Sequence, residues 1–164
     1  MQHRKISFIG AGNMSRSIIS GLVANGYPVE LIMASNPSSG KLTALKQDFG
    51  INVSQNNHEA AQFAEVIVLA VKPQLMEQVC TDLCADVNVA TALKEKLFVS
   101  IAAGISSQRL IQMLGGNVKI VRTMPNTPSS LGKGMTGLFA AATISQQDKT
   151  FSADLMSQVG EIAW

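Results

Sequence analysis

Charge is scarce in this sequence. Asp, Glu, Lys and Arg supply only 15% of its 164 residues, and the formal net charge is +2. With no run of Lys or Arg there is no electrostatic footprint for a nucleic acid, and none is expected as a partner. Histidine is scarcer still: His3 and His58 stand far apart, with no partner pattern for a triad or a metal, so no metal site is expected. Cysteine is limited to Cys80 and Cys84. One turn apart on an expected helix, they are poorly placed for a disulfide, and two thiols do not make a zinc site. They read as small helix residues in a reducing compartment. Long apolar runs are missing as well, and nothing approaches the ~20 residues a membrane helix needs. Arg4 and Lys5 before Ile6-Ser7-Phe8-Ile9 look superficially like a signal peptide, but the apolar stretch is short and ends in a glycine turn with no cleavage site. The expectation is a cytoplasmic protein with no membrane partner.

Apolar residues, by contrast, make up 46% of the chain, enough for one domain with a core of its own. They fall into short runs that alternate with helical patterns, the mark of βαβ units and a parallel sheet. Strands are predicted at about Lys5–Gly10, Leu31–Ala34, Ile51–Val53, Glu65–Val71, Leu97–Ile101 and Val118–Arg122, with further ones at Gly137–Ala142 and from Glu161. The continuous, β-branched run Glu65–Val71 suits the centre of a sheet buried on both faces. Helices are predicted over about Asn13–Asn25, Lys41–Phe49, Ser107–Leu114 and Ser145–Val159, with a long one starting at Pro73 and carrying both cysteines. The expected fold is α/β, a Rossmann-type, doubly wound, mostly parallel sheet with helices on both faces, in one domain over residues 1–164. The chain stops inside the strand begun at Glu161, which reads as a domain cut from a longer protein.

The densest motif is the first. The strand ending at Ile9 breaks on Gly10-Ala11-Gly12 and opens a helix at Asn13-Met14. Glycines let a backbone turn tightly and approach phosphates closely, and a new helix presents free N–H groups and the positive end of its dipole to an anion. After an apolar strand and before an amphipathic helix, this Gly-x-Gly points to a nucleotide site. At the end of the second strand, where NAD-preferring folds place an acid for the ribose 2′-hydroxyl, the chain reads Ala34-Ser35-Asn36-Pro37-Ser38-Ser39. Hydroxyls and an amide can donate to a 2′-phosphate that a carboxylate would repel, and Lys41 adds a cation nearby. NADP(H) is therefore expected over NAD(H), although NAD(H) stays open.

Two further motifs close strands. Ala70-Val71-Lys72-Pro73 lies at the carboxyl end of the central strand, where ligands of open α/β sheets bind. Lys72 touches a ligand there, or is a solvated residue before a proline; spacing does not choose. In Arg122-Thr123-Met124-Pro125-Asn126-Thr127-Pro128 two prolines stiffen a loop and aim Asn126 and Thr127 in a definite direction. A stiff connector across the sheet edge would look the same.

In this order and at these intervals, Phe8-Ile9-Gly10-Ala11-Gly12-Asn13-Met14, Ala70-Val71-Lys72-Pro73, Ser100-Ile101-Ala102-Ala103-Gly104-Ile105 and Arg122-x-Met124-Pro125-Asn126-Thr127-Pro128 closely resemble pyrroline-5-carboxylate reductase, over essentially the whole chain. The resemblance implies the last step of proline biosynthesis, in which NAD(P)H delivers a hydride to the C=N carbon of 1-pyrroline-5-carboxylate and L-proline forms. It implies that Ile9, Gly10, Ala11, Gly12, Asn13 and Met14 hold the pyrophosphate. Ser35 and Asn36 would face the adenosine ribose or its phosphate, with Asn57 on the adenine side. Ala70, Val71, Lys72 and Pro73 with Ile101, Ala102 and Ala103 would line the cofactor cleft. Asn126 and Thr127 would lie by the reacting ring and, with Lys72, are the candidates for a catalytic role. Ser15 departs from the family, which usually has Ala or Gly there; a serine is small enough to let helix and strand pack. The family also implies a helical C-terminal dimerisation domain, a homo-oligomer formed through it, and a substrate-side hydroxyl that this chain lacks. The fragment is therefore expected to bind cofactor but to turn over poorly alone.

Two other readings compete. A related NADP-linked β-hydroxyacid dehydrogenase would use a distinct glycine pattern and a later catalytic lysine, and the Met-Pro-Asn-Thr-Pro loop argues against it. A stand-alone module that senses NADP(H) would need a domain complete in itself.

Overall fold

The computed structural model describes residues 1–164. Eight strands form one sheet in the order β3-β2-β1-β4-β5-β6-β7-β8. They are β1 (Ile6–Ile9), β2 (Ile32–Ser35), β3 (Asn52–Ser54), β4 (Val66–Leu69), β5 (Leu97–Ser100), β6 (Lys119–Met124), β7 (Gly134–Ala140) and β8 (Gly160–Ala163). Every neighbouring pair is parallel except β6 and β7. The run expected at the sheet centre is there: β4 pairs with β1 on one side and β5 on the other, and all four of its residues are buried.

The period of two along each strand divides the apolar residues between two cores. Ile6, Phe8, Val66, Val68, Leu97 and Val99 face one way. On that side lie α1 (Asn13–Ala24), α2 (Ser39–Phe49) and α7 (Gln146–Met156), which contribute Ile18, Ile19 and Leu22, then Leu42 and Leu45, then Phe151, Leu155 and Met156. Ile9, Ile67, Leu69 and Phe98 face the other way, against Ala61 of α3 (Asn57–Phe63), Met76, Cys80 and Leu83 of α4 (Met76–Cys84), Val89 and Leu93 of α5 (Val87–Leu93) and Leu110 of α6 (Ser107–Met113). Burying each such aliphatic side chain is worth about 2 kcal/mol. The sheet is doubly wound, as expected.

The structure changes the expected helices in three places, and it starts the strand expected at Gly137–Ala142 earlier, at Gly134–Ala140. The long helix from Pro73 is a 3-10 turn (Pro73–Leu75) followed by α4, and the chain then breaks and restarts as α5. Asp86 causes the restart, because its carboxylate accepts from the N–H groups of Asn88 and Val89 as an N-cap. α3 has no counterpart in the sequence-based prediction; Asn56 caps it by accepting from His58 N–H. The helix expected through Val159 ends at Met156, passes through a 3-10 turn (Ser157–Val159) and leads into β8. No helix is long and apolar enough to cross a membrane.

Candidate functional site

β1 and β4 are neighbours, but the chain leaves them in opposite directions: from β1 it turns back to β2 and β3, from β4 it continues to β5 and β6. This is the switch point at which open α/β sheets hold ligands, beyond the carboxyl ends of the strands. The first two sequence motifs meet there. Ala70 N–H donates to the Ile9 carbonyl at 2.9 Å, and a Cβ built on Gly10 would lie 2.6 Å from the Ala70 carbonyl oxygen. Gly10 also has φ of +105°. Close approach and left-handed backbone both demand glycine at this one position.

The turn delivers the chain into α1 without a cap. Gly12 occupies the N-cap position and no side chain bonds the first helical N–H groups. Donors left open in the first turn of a 12-residue helix, above a switch point, have the chemistry to receive an anion. On the far side of the turn, Asn36 Oδ1 accepts from Ala11 N–H at 3.3 Å while its Nδ2 donates to Ser38 Oγ and Ser38 O at 2.9 and 3.3 Å. Ser35 is buried and gives its hydroxyl proton to Asn57 Oδ1 at 2.8 Å. Asn36 and Ser35 therefore brace the turn and the start of α3, and Ser38 and Ser39 carry the free hydroxyl protons of this segment.

The other motifs line up along the same edge. Ile101 N–H donates to Leu69 O at 3.2 Å, and Ala102 N–H to Ser100 Oγ at 3.2 Å. Thr123 Oγ1 donates to Ser100 O at 3.0 Å, fastening the end of β5 to β6. Asn126 Oδ1 accepts from Met135 N–H at 3.0 Å, so half of this amide holds its own loop and only its NH₂ is free. Lys72 and Pro73 are exposed, and the Lys72 ammonium has no partner. All of the expected cofactor residues, Ile9 to Met14, Ser35, Asn36, Asn57, Ala70 to Pro73 and Ile101 to Ala103, stand at or just beyond the carboxyl ends of β1, β2, β3, β4 and β5.

A cleft of about 680 Å³ separates α1 from the Pro125–Ser130 segment. Asn13 and Met14 of the glycine turn and Asn126 and Thr127 of the proline loop, all singled out from the sequence, line it together, joined by Arg16, Ser17, Ser20 and Ser130, which the sequence reading did not single out. Asn13, Ser17 and Ser20 follow the i, i+4, i+7 spacing of one helix face, which was the available signal. Arg16 is committed elsewhere: its guanidinium pairs with Asp48 and stacks on the Phe49 ring. Four groups have acidities shifted chiefly by burial: the Cys80 and Cys84 thiols and the Tyr27 phenol are raised, and Lys96 is lowered. None of them lines this cleft. The cleft is thus polar, uncharged apart from Arg16, and has no buried acid or base. It is suited to positioning rather than to proton transfer.

A family model described as NADP oxidoreductase coenzyme F420-dependent matches residues 5–104, more than half of the chain. The chain belongs to this family. It is 52% identical over all 164 residues to a pyrroline-5-carboxylate reductase of Vibrio alginolyticus, and covers 58% of that protein. Its fold superposes on a solved pyrroline-5-carboxylate reductase of Coxiella burnetii with a TM-score of 0.93 at 40% identity, over 99% of this chain and 59% of the other. A Plasmodium falciparum pyrroline carboxylate reductase solved with NADP bound matches with a TM-score of 0.82 at 30% identity, over 99% and 58%. The resemblance read from the four motifs is borne out. The chain spans under three-fifths of the length of these relatives.

Proposed function

We propose that residues 1–164 form one dinucleotide-binding domain that holds NADP(H) along the carboxyl edge of the sheet and serves in the reduction of 1-pyrroline-5-carboxylate to L-proline. One observation carries the cofactor reading. Gly10 lies against the Ala70 carbonyl at the switch point, directly before a helix whose first N–H groups are uncapped. A side chain at Gly10 would fill this cradle, and open amide donors match a pyrophosphate. Of the two coenzymes in the family's description, NADP is the one that contains a pyrophosphate.

Ile9 to Met14 would meet the pyrophosphate, Asn57 the adenine side, and Ala70 to Pro73 with Ile101 to Ala103 the nicotinamide half. The 2′-phosphate reading rests on the absence of any acid at Ser35–Ser39, on the free Ser38 hydroxyl proton, on the uncapped start of α2 and on exposed Lys41. Bound there, the cofactor supplies the hydride. The protein's part is to hold donor and acceptor face to face and to exclude water. Asn126 Nδ2 and the Thr127 hydroxyl border the cleft where a small cyclic imine acid would sit, and Lys72 is the remaining candidate. An iminium substrate is already protonated and electrophilic, so no metal or histidine is required.

Titration with NADPH and NADH, followed by nucleotide fluorescence, tests the reading. Saturable binding is expected, tighter for NADPH, with very little NADPH oxidation when 1-pyrroline-5-carboxylate is added to this chain alone. Tighter NADH binding would overturn the 2′-phosphate assignment only. No binding of either would overturn the cofactor site.

A further inference from the structure

We propose that Ser15 is a positioning residue for the dinucleotide, one that acts by fixing the orientation of the Gly10–Ala11 peptide. The inference rests on the cofactor reading above and adds to it a residue of α1 that faces away from the cleft. Ser15 is fully buried. Its hydroxyl donates to the Gly10 carbonyl at 2.7 Å, across the turn that joins β1 to α1. On the opposite edge of the same peptide, Ala11 N–H donates to Asn36 Oδ1 at 3.3 Å. One residue earlier, Gly10 N–H is taken by Ser35 O at 2.9 Å. The peptide between the two motif residues is therefore clamped on both sides before any ligand arrives.

The clamp matters because of the residue it acts on. Glycine with φ of +105° has neighbouring backbone minima open to it that other residues lack, so its peptide plane is the one most able to turn over. The Gly10 carbonyl precedes α1 and has no other donor in the structure. Without the Ser15 hydroxyl it would be a buried acceptor with no partner, or it would rotate toward the open edge in search of water. Turned that way, a carbonyl dipole would face the place where the pyrophosphate binds, and Ala11 N–H would leave Asn36. In this chain, where Ser15 stands in place of the family's usual Ala or Gly, the hydroxyl thus keeps the Gly10 carbonyl away from the edge at which the open N–H groups of the first turn of α1 face the anion. The cost of arranging this is met in folding, which is what preorganisation of a site means.

Ser15→Ala removes the hydroxyl; Ser15→Cys keeps the side chain's shape with a slightly larger atom and offers only a weak S–H donor. Binding of NADPH and NADH to the 164-residue chain would be compared below each variant's melting temperature, with hydrogen exchange of the Ala11 amide read in the ligand-free chain. The expected result is about tenfold weaker binding of both nucleotides in both variants, by the same factor for each, and Ala11 exchange about tenfold faster. A role in packing alone predicts that Ser15→Cys binds as the wild type does, and that result would overturn the proposal. So would a loss confined to NADPH, which would place the effect at the ribose. If the wild type bound neither nucleotide, the cofactor reading would fall, and Ser15 would lose its role in binding while Ala11 exchange still showed whether the clamp exists.

Discussion

Asn126 Oδ1 accepts a hydrogen bond from Met135 N–H at 3.0 Å, tying the loop after β6 to the start of β7. The amide has two ends with two roles, and substitution can separate them. Asn126→Ala loses both: stability should fall by about 1 kcal/mol, since exposed Met135 N–H regains water. Asn126→Asp keeps the acceptor and replaces the free NH₂ with a negative charge. It should unfold within about 0.5 kcal/mol of the wild type yet bind the anionic nucleotide about tenfold more weakly. Urea melts and the NADPH titration check the two halves.

Gly10 and Gly12 should fail in different ways. At Gly10 a Cβ would lie 2.6 Å from Ala70 O in a backbone with φ of +105°, and neither atom is a flexible side chain. Gly10→Ala should cost more than about 3 kcal/mol, visible as a large fall in melting temperature. At Gly12 a Cβ meets nothing within 4 Å and φ is −79°. Gly12→Ala should fold with a loss of about 1 kcal/mol or less, the N-cap preference for glycine over alanine, because the space its Cβ fills is that of the ligand. Its NADPH binding should fall by about tenfold or more, through lost close approach of the backbone to the pyrophosphate.

The contrast between those glycines shows where sequence reasoning reached and where it stopped. The short apolar runs marked β1, β4 and β5, the β-branched one at β4 most plainly, because all four residues of each strand are buried and apolar side chains serve both faces. α3 escaped because its buried residues are Ala60 and Ala61, too small to form an apolar stripe. The break after Cys84 depends on Asp86 turning its carboxylate onto the next turn, which composition does not reveal. At the site, each motif was readable from its glycines and prolines. The bonds of Asn36 to Ala11 and of Ser15 to Gly10 were not, since they depend on β2 lying beside β1 and on the rotation of α1 about its axis. The edge was legible; which way its amides point was not.

At the opposite end of the sheet, Arg4 Nη1 lies 2.9 Å from Asp148 Oδ1, with side-chain exposures of 15% and 11%. The guanidinium also stacks over Phe151, 5.0 Å from the ring centroid. Asp148→Ala would leave a half-buried cation without its counter-ion and should cost about 2 kcal/mol; Asp148→Asn, which still offers an oxygen, should cost about half as much. A double-mutant cycle with Arg4→Met measures the coupling. Nucleotide affinity should be unchanged in all of these variants, because the pair lies far from the carboxyl edge.

Cys80 sits at full burial on α4, and burial, with a smaller contribution from Cys84, raises its thiol from 9.0 to about 12. The thiol is neutral when protonated, so the fold favours the protonated form. In the unfolded chain it would ionise near pH 9, while in the native state it keeps its proton to about pH 12. Between those values the native state holds more protons than the unfolded one. The stability this contributes is therefore complete below pH 9 and lost as the pH rises toward 12. Cys80→Ala removes that dependence: its urea midpoint should fall less steeply than the wild type's across this interval, in addition to a constant packing loss. Tyr27, raised by burial, adds to the slope in both proteins and cancels in the comparison, as does Lys96, which acts in the opposite direction. The same burial makes both thiols poor nucleophiles near neutral pH. Iodoacetamide should leave the native chain unlabelled over the time in which it alkylates both cysteines in urea. Rapid native labelling of Cys80 would show that α4 opens from the sheet far more readily than its packing against Leu69 and Phe98 implies.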